Sequence, residues 1–222
     1  MGTTLIIAPH PDDEVLGCGG TIPQLVERGA DIHVLIVTRG DELFDQQMVE
    51  TGRREAREAD RLLGVSHTHF ADLPAIKIDA MHQYQVTDRI ASFIHDIKPS
   101  TVFLPFIGDL NQDHQVVFNA SMIAIRPGLS PVTEIYCYET ASSTNWGTPG
   151  INQSFTPNVF FDISETINLK QQAFAVFESQ TCAFPHPRSA EFIDALSRYR
   201  GGSSGLQHAE AFMLIRKVCQ GN

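Results

Sequence analysis

The 222-residue sequence predicts an α/β fold: a Rossmann-like, doubly wound, mostly parallel sheet with helices on both faces. Three observations carry this expectation. Apolar runs of strand length recur at residues 5–8, 32–37 and 101–106. Longer amphipathic segments lie between them, closed by Gly29, by Gly64 or before Pro99. The runs are apolar at nearly every position, which suits strands covered on both faces by helices. Such alternation implies right-handed crossovers, with ligands bound beyond the carboxyl ends of the strands.

Taken in order, residues 3–8 form the first strand. Residues 15–28 form a helix with Leu16, Ile22, Leu25 and Val26 facing inward and Gly29 as its stop. Residues 32–37 form the second strand, apolar except at His33. Residues 40–52 are polar and read as a loop, followed by a charged amphipathic helix over 53–63. A short strand near 68–70 precedes a helix over 84–97. The fourth strand spans 101–106, and a helix over 115–125 ends at Arg126-Pro127-Gly128. Residues 134–138 and 158–161 read as strands separated by a long loop, 141–157, rich in Ser, Thr, Asn, Gly and Pro. A helix over 164–177 with Ser164 as N-cap, a helix over 192–199, a glycine-serine break at 201–205 and a final segment, 209–217, complete the chain. No linker divides the sequence, so a single domain over 1–222 is expected.

Composition narrows the function. The net charge of −10, from 16 basic and 26 acidic residues, argues against nucleic acid as a partner, because phosphate contacts need clustered Lys and Arg. No apolar run approaches the ~20 residues that span a bilayer, so no membrane association is expected. The four cysteines show no CxxC spacing and read as buried thiols of a reducing compartment. With no basic leader ahead of the first strand, a cytoplasmic location is expected.

Chemistry concentrates in two turns. Strand one ends in Pro9-His10-Pro11-Asp12-Asp13-Glu14, and two adjacent carboxylates repel unless a cation or proton lies between them. Strand four ends in Gly108-Asp109-Leu110-Asn111-Gln112-Asp113-His114, at the same edge of the sheet. His10, Asp13 and His114 make a His₂-carboxylate set with one open position, the ligand count of a catalytic zinc site. A metal there lowers the pKa of its bound water towards ~7, and Asp12 is placed to take that proton as general base.

The first turn resembles the signature of the LmbE-like, or PIG-L, zinc deacetylases, and residues 109–114 resemble their second motif. The likeness continues through Leu169-Lys170, Glu178-Ser179-Gln180 and Ala209-Glu210-Ala211-Phe212. The resemblance implies one Zn²⁺ per chain held by His10, Asp13 and His114, with Asp12 as base. It implies hydrolysis of the N-acetyl group of an N-acetylglucosamine-type sugar or conjugate, a small-molecule partner. Asn111 stands where the family has a histidine that stabilises the oxyanion or protonates the leaving amine. An amide donates a hydrogen bond but supplies no proton. Either Asp12 serves as both base and acid, or another group such as His186 or His208 supplies it. Asp113, which in the family orients that histidine, is expected to hold Asn111 or to support a metal ligand. Arg53, Asp109, Asn111 and His186 are the candidate substrate contacts.

Plainer readings stand beside these. An Asp N-cap beside a satisfied histidine explains one acid of the first turn but not His10 with two. His114 alone is an ordinary first-turn histidine, and Asn111 is equally well a turn residue. His67 and His69 share one face of a strand but lack a third partner, and read as structural. Gly17-Cys18-Gly19-Gly20 lacks the third glycine of a dinucleotide fingerprint and reads as close helix–sheet packing. The rival functions are a Rossmann-like sugar- or nucleotide-binding module and a metal-dependent phosphoesterase. Assembly into a homo-oligomer is left open.

Overall fold

The computed structural model describes residues 2–40, 44–148 and 153–219. The seven strands among the described residues join one sheet, in the order β3-β2-β1-β4-β5-β7-β6. The strands are β1 (Thr3–Ala8), β2 (Asp31–Arg39), β3 (His67–Pro74), β4 (Thr101–Pro105), β5 (Glu134–Tyr138), β6 (Val159–Asp162) and β7 (Ala209–Lys217). β1 to β5 pair in parallel, while β7 runs antiparallel between β5 and β6. The mostly parallel doubly wound sheet is as expected. The closing segment 209–217 is a strand inserted between two others, a placement that no local pattern announces.

Period-two alternation sends β1 to both layers at once. Ile6 and Ala8 pack on the face of α1 (Asp13–Cys18), α2 (Thr21–Glu27), α3 (Gln46–Leu63), α6 (Ile167–Ala175) and α7 (Ala190–Gly202). Leu5 and Ile7 pack on the face of α4 (Gln83–Ile97) and α5 (Gln112–Ala124). On the first face Phe103, Tyr136, Phe212 and Phe161 form an aromatic row across β4, β5, β7 and β6, with centroids 5.0, 6.4 and 5.3 Å apart. That row packs the antiparallel edge onto the parallel centre.

Several element boundaries differ from expectation. The helix placed at 15–28 is two helices broken at Gly19-Gly20. Lys170 Nζ donates to the Leu16 carbonyl at 2.7 Å and to Glu210 Oε1 at 2.6 Å. Glu210 in turn accepts the Gly20 and Thr21 N–H groups, each at 2.8 Å. This buried pair satisfies the open backbone groups of both helix ends, so the break is stable in the interior. The glycine cluster packs as expected: a Cβ at Gly17 would enter the Tyr138 ring, and one at Gly20 would strike Ile163.

Part of the expected loop 40–52 is helix, because Asp45 caps α3 by accepting the Met48 N–H at 2.7 Å; residues 41–43 lie outside the described residues. Ser164 is not the cap of α6. It folds back onto Asp162 in a local turn, and Thr166 holds the cap position. Cys18 and Cys137 are buried as expected, but Cys182 and Cys219 are exposed. Among the described residues no helix is long and apolar enough to cross a membrane.

Candidate metal centre and active site

The chain leaves β1 towards β2 on one side and reaches β4 on the other, so the crevice between β1 and β4 is the topological switch point of the sheet. Both sequence turns open there. After β1, Asp12 adopts φ 106° and ψ −26°, a left-handed conformation that costs a non-glycine residue about 1–3 kcal/mol. Its N–H donates to Glu14 Oε2 at 3.1 Å, and its carbonyl accepts the Val15 and Leu16 N–H groups of α1. The strained turn presents Asp12, Asp13 and His10 around one point.

Asp13 Oδ2 accepts the His10 N–H at 2.9 Å and lies 3.2 Å from both His10 Nδ1 and His114 Nε2. The far nitrogen of each imidazole is tied to another carboxylate. His10 Nε2 is 2.9 Å from Asp113 Oδ2, and His114 Nδ1 is 2.8 Å from Asp109 Oδ2. Asp109 is held in turn by the Thr144 hydroxyl at 2.5 Å, and Asp113 by the Ile76 N–H at 2.9 Å. Carboxylates behind imidazoles fix ring orientation and aim the remaining nitrogens inward, as in metalloenzymes.

Whether a cation fits is decided by the donors. One ligand atom from each of His10, Asp13 and His114 lies within 4.8 Å of the others, the only such group of three among the described residues. Asp13 Oδ1 and both carboxylate oxygens of Asp12 are buried without a hydrogen-bond partner. Buried carboxylate oxygens in this state are costly unless a cation or a substrate proton meets them. Two imidazole nitrogens and a carboxylate are the donor chemistry of a divalent transition metal. The residues fit such an ion.

The electrostatics separate the two adjacent aspartates. Burial pushes Asp12 up to about 7, with Asp13 adding to the rise and the Arg188 guanidinium opposing it. Burial acts on Asp13 in the same direction, but the imidazoles of His114 and His10 outweigh it and hold Asp13 well below the usual carboxylate range. His114 is raised to about 10: burial alone would lower it, and the carboxylates of Asp13 and Asp109 overcome that.

The site opens into a cleft of about 530 Å³. Its walls include His10, Asp12, Asn111 and Arg53, with Phe44, Met48, Phe70, Ile76 and Phe177 as apolar lining. The expected substrate contacts are not all there. Arg53 reaches the cleft, pairing with Asp72 and lying 4.7 Å over the Phe70 ring. Asn111 also lines it; its Oδ1 accepts the Asp113 N–H at 2.9 Å as N-cap of α5. Asp109 instead lies fully buried behind His114. His186 is absent from the cleft lining; its Nδ1 accepts the Arg188 N–H at 3.0 Å and its ring meets Trp146 edge-on. His208 is buried between α7 and β7, its Nδ1 2.8 Å from the Ser197 hydroxyl. Asp113 meets Asn111 through its backbone N–H and His10 through its carboxylate.

Arg188 is the residue the sequence did not single out. Its Nη1 lies 3.1 Å from Asp12 Oδ2, without hydrogen-bond alignment, and donates to Gln180 Oε1 at 2.6 Å. The only sequence signal is its place at the end of a proline-stiffened loop, Phe184-Pro185-His186-Pro187-Arg188.

Comparison with known proteins places the chain among relatives. The chain is 33% identical over 172 residues to an uncharacterized deacetylase, YaiS, of Escherichia coli (strain K12), covering 72% of this chain and 82% of that one. It is 24% identical over 222 residues to the diacetylchitobiose deacetylase of Thermococcus kodakarensis, covering 95% and 82%. Among solved structures it matches GalB, a 4-carboxy-2-hydroxymuconate hydratase from Pseudomonas putida KT2440, at TM-score 0.78, covering 100% and 99%. At 20% identity that match speaks for the fold alone, and it shows the fold serving a different reaction. The family model described as PIG-L, GlcNAc-PI de-N-acetylase, matches residues 5–125, so this chain belongs to the PIG-L (LmbE-like) family.

Proposed function

We propose that this protein is a zinc-dependent N-deacetylase that removes the acetyl group from an N-acetylglucosamine-type sugar or conjugate. The observation that carries this reading is the buried Asp12 carboxylate, whose oxygens accept no hydrogen bond, beside the His10–Asp13–His114 group and facing a cleft of substrate size. Two named relatives, both deacetylases, support it. When bound, a zinc ion supplies a Lewis acid that polarises the amide carbonyl and acidifies water.

The remaining work falls to the chain. Asp12, raised to about 7, is matched to accepting a proton from attacking water and returning it to the leaving nitrogen near neutral pH. Neither His186 nor His208 is positioned to supply that proton, so Asp12 acts as both base and acid. Arg188 holds the Asp12 carboxylate towards the cleft and offers positive charge to the developing oxyanion. Asn111, with Oδ1 committed to the helix cap, has its amide N–H groups left to donate to the acetamide oxygen. Phe44, Met48, Phe70 and Ile76 supply apolar surface for the face of a sugar ring or its substituent.

The test is acetate release from N,N'-diacetylchitobiose and other N-acetylated amino sugars with added zinc, run beside a phosphate ester. Acetate release that a chelator abolishes and zinc restores supports the reading. Asp12→Ala is expected to keep the metal while kcat falls about 10²–10⁴-fold. Wild-type turnover in that variant would remove Asp12 from the mechanism, and phosphate release alone would replace the deacetylase with the esterase.

A further inference from the structure

At the other end of the sheet three histidines gather. Parallel pairing of β2 with β3 sets His33 against His67 and Leu35 against His69. Alternation then places all three imidazoles on the face that buries Leu35 and Ala71. The ring centroids of His33 and His67 are 4.8 Å apart, those of His33 and His69 5.2 Å, and those of His67 and His69 6.0 Å. The sequence lacked a third partner for His67 and His69; the neighbouring strand supplies it.

The details resemble those of the first site. Asp31 Oδ2 lies 3.2 Å from His33 Nε2, so the carboxylate takes that N–H and leaves the Nδ1 lone pair facing inward. His33 Nδ1 is 2.9 Å from His69 Nε2, and the two rings are nearly parallel, at 9°. A tautomer shift in His69, which moves its hydrogen to Nδ1 without changing its charge, turns that hydrogen bond into two converging lone pairs. Burial and the two imidazoles beside it lower the His69 pKa below the ordinary histidine value. His67 is exposed at the strand start, and exposed side chains change rotamer readily. The three nitrogens converge only after that rotation, since among the described residues only the first site brings three donors within 4.8 Å.

We propose that His33, His67 and His69 bind a divalent transition-metal ion of the Zn²⁺, Ni²⁺ or Cu²⁺ class, with Asp31 orienting His33. All-imidazole donors select these metals over Mg²⁺ or Ca²⁺. The site stands apart from the cleft, on the amino-terminal half of β2, and does not rest on the deacetylase reading.

Equilibrium dialysis of the tag-free protein against Zn²⁺, with elemental analysis, tests it. Two ions per chain are expected at saturation, falling to one in His67→Ala and in the double variant His33→Gln/His69→Gln. Asp31→Asn weakens the second ion about ten-fold. His114→Ala retains the ion at this site. A His114→Ala variant that binds no zinc overturns the proposal, as does a second ion that persists unchanged in His67→Ala. Because His67 is exposed, that single variant decides the matter even if the double variant does not fold.

Discussion

Two groups of histidines sit at opposite ends of β1–β3, and their electrostatics run in opposite directions. At the carboxyl edge, His10 and His114 are both raised, because the carboxylates Asp13, Asp109 and Asp113 outweigh the burial that would lower them. At the amino-terminal half, His69 is lowered by burial and by its neighbours His33 and His67, with Asp31 exposed to solvent. The residue type is the same and only the company differs. Buried carboxylates around two imidazoles make a pocket short of positive charge, a deficit that protons or a cation would fill. A partly exposed trio of imidazoles with one exposed carboxylate beside it has no such deficit. If each group takes an ion as proposed, the first should hold it tightly and the second weakly.

Removing a ligand breaks the contrast most completely. His114→Ala leaves Asp13 and Asp109 without their shared counter-charge, and is expected to lose both bound zinc and detectable acetate release, as measured by elemental analysis and turnover. Arg188→Met is milder. It removes one charge from beside Asp12 and is expected to lower kcat about ten-fold with metal content unchanged. Unaltered turnover in that variant would assign the Arg188–Asp12 contact to structure alone.

The contrast also has a pH signature in the chelator-treated protein. For His114, whose folded pKa is about 10 against an ordinary 6.5, the stabilising contribution is complete below pH 6.5 and is lost as pH rises through 10. Thermal melts should therefore fall from pH 7 towards pH 10, by the equivalent of a few kcal/mol, and His114→Asn should flatten that decline. Adding zinc reverses the dependence: both imidazoles must lose protons to bind, so zinc affinity weakens on acidification. The smallest effect sharpens the comparison from the other side. His67→Ala should change deacetylation by less than about two-fold while removing the second ion, because His67 is far from Asp12 along the strands.

The first turn is legible in the chain alone. His10, Asp12 and Asp13 fall within four residues after an apolar run, and proximity in sequence enforces proximity in space. The second turn is legible by the same rule, because β4 ends at the same sheet edge. Elements with a strong local period, such as α4 and β2, match expectation closely. Those governed by distant partners do not. The break between α1 and α2 depends on Lys170 and Glu210, about 150 and 190 residues further on. The start of α3 turns on one capping aspartate inside a polar stretch.

Roles are harder to read than positions. Asp109 and Asn111 are two residues apart, yet one lies buried behind His114 and the other faces the cleft. Helix α5 begins just after them, and the turn into it reverses which side chain points outward. Arg188 carries little mark in the sequence beyond its proline-stiffened loop, because its importance lies in a contact with Asp12, 176 positions earlier.

By itself the sequence determined the sheet, the grouping of His10, Asp13 and His114 and the family likeness, because each is written in short-range patterns of polarity and spacing. Tertiary structure alone decided which imidazole nitrogen faces inward, which carboxylate stands behind it, which arginine meets Asp12 and which strand completes the second histidine group. Those features arise from register and burial, which set the local dielectric and the neighbouring charges, and neither is expressed along the chain.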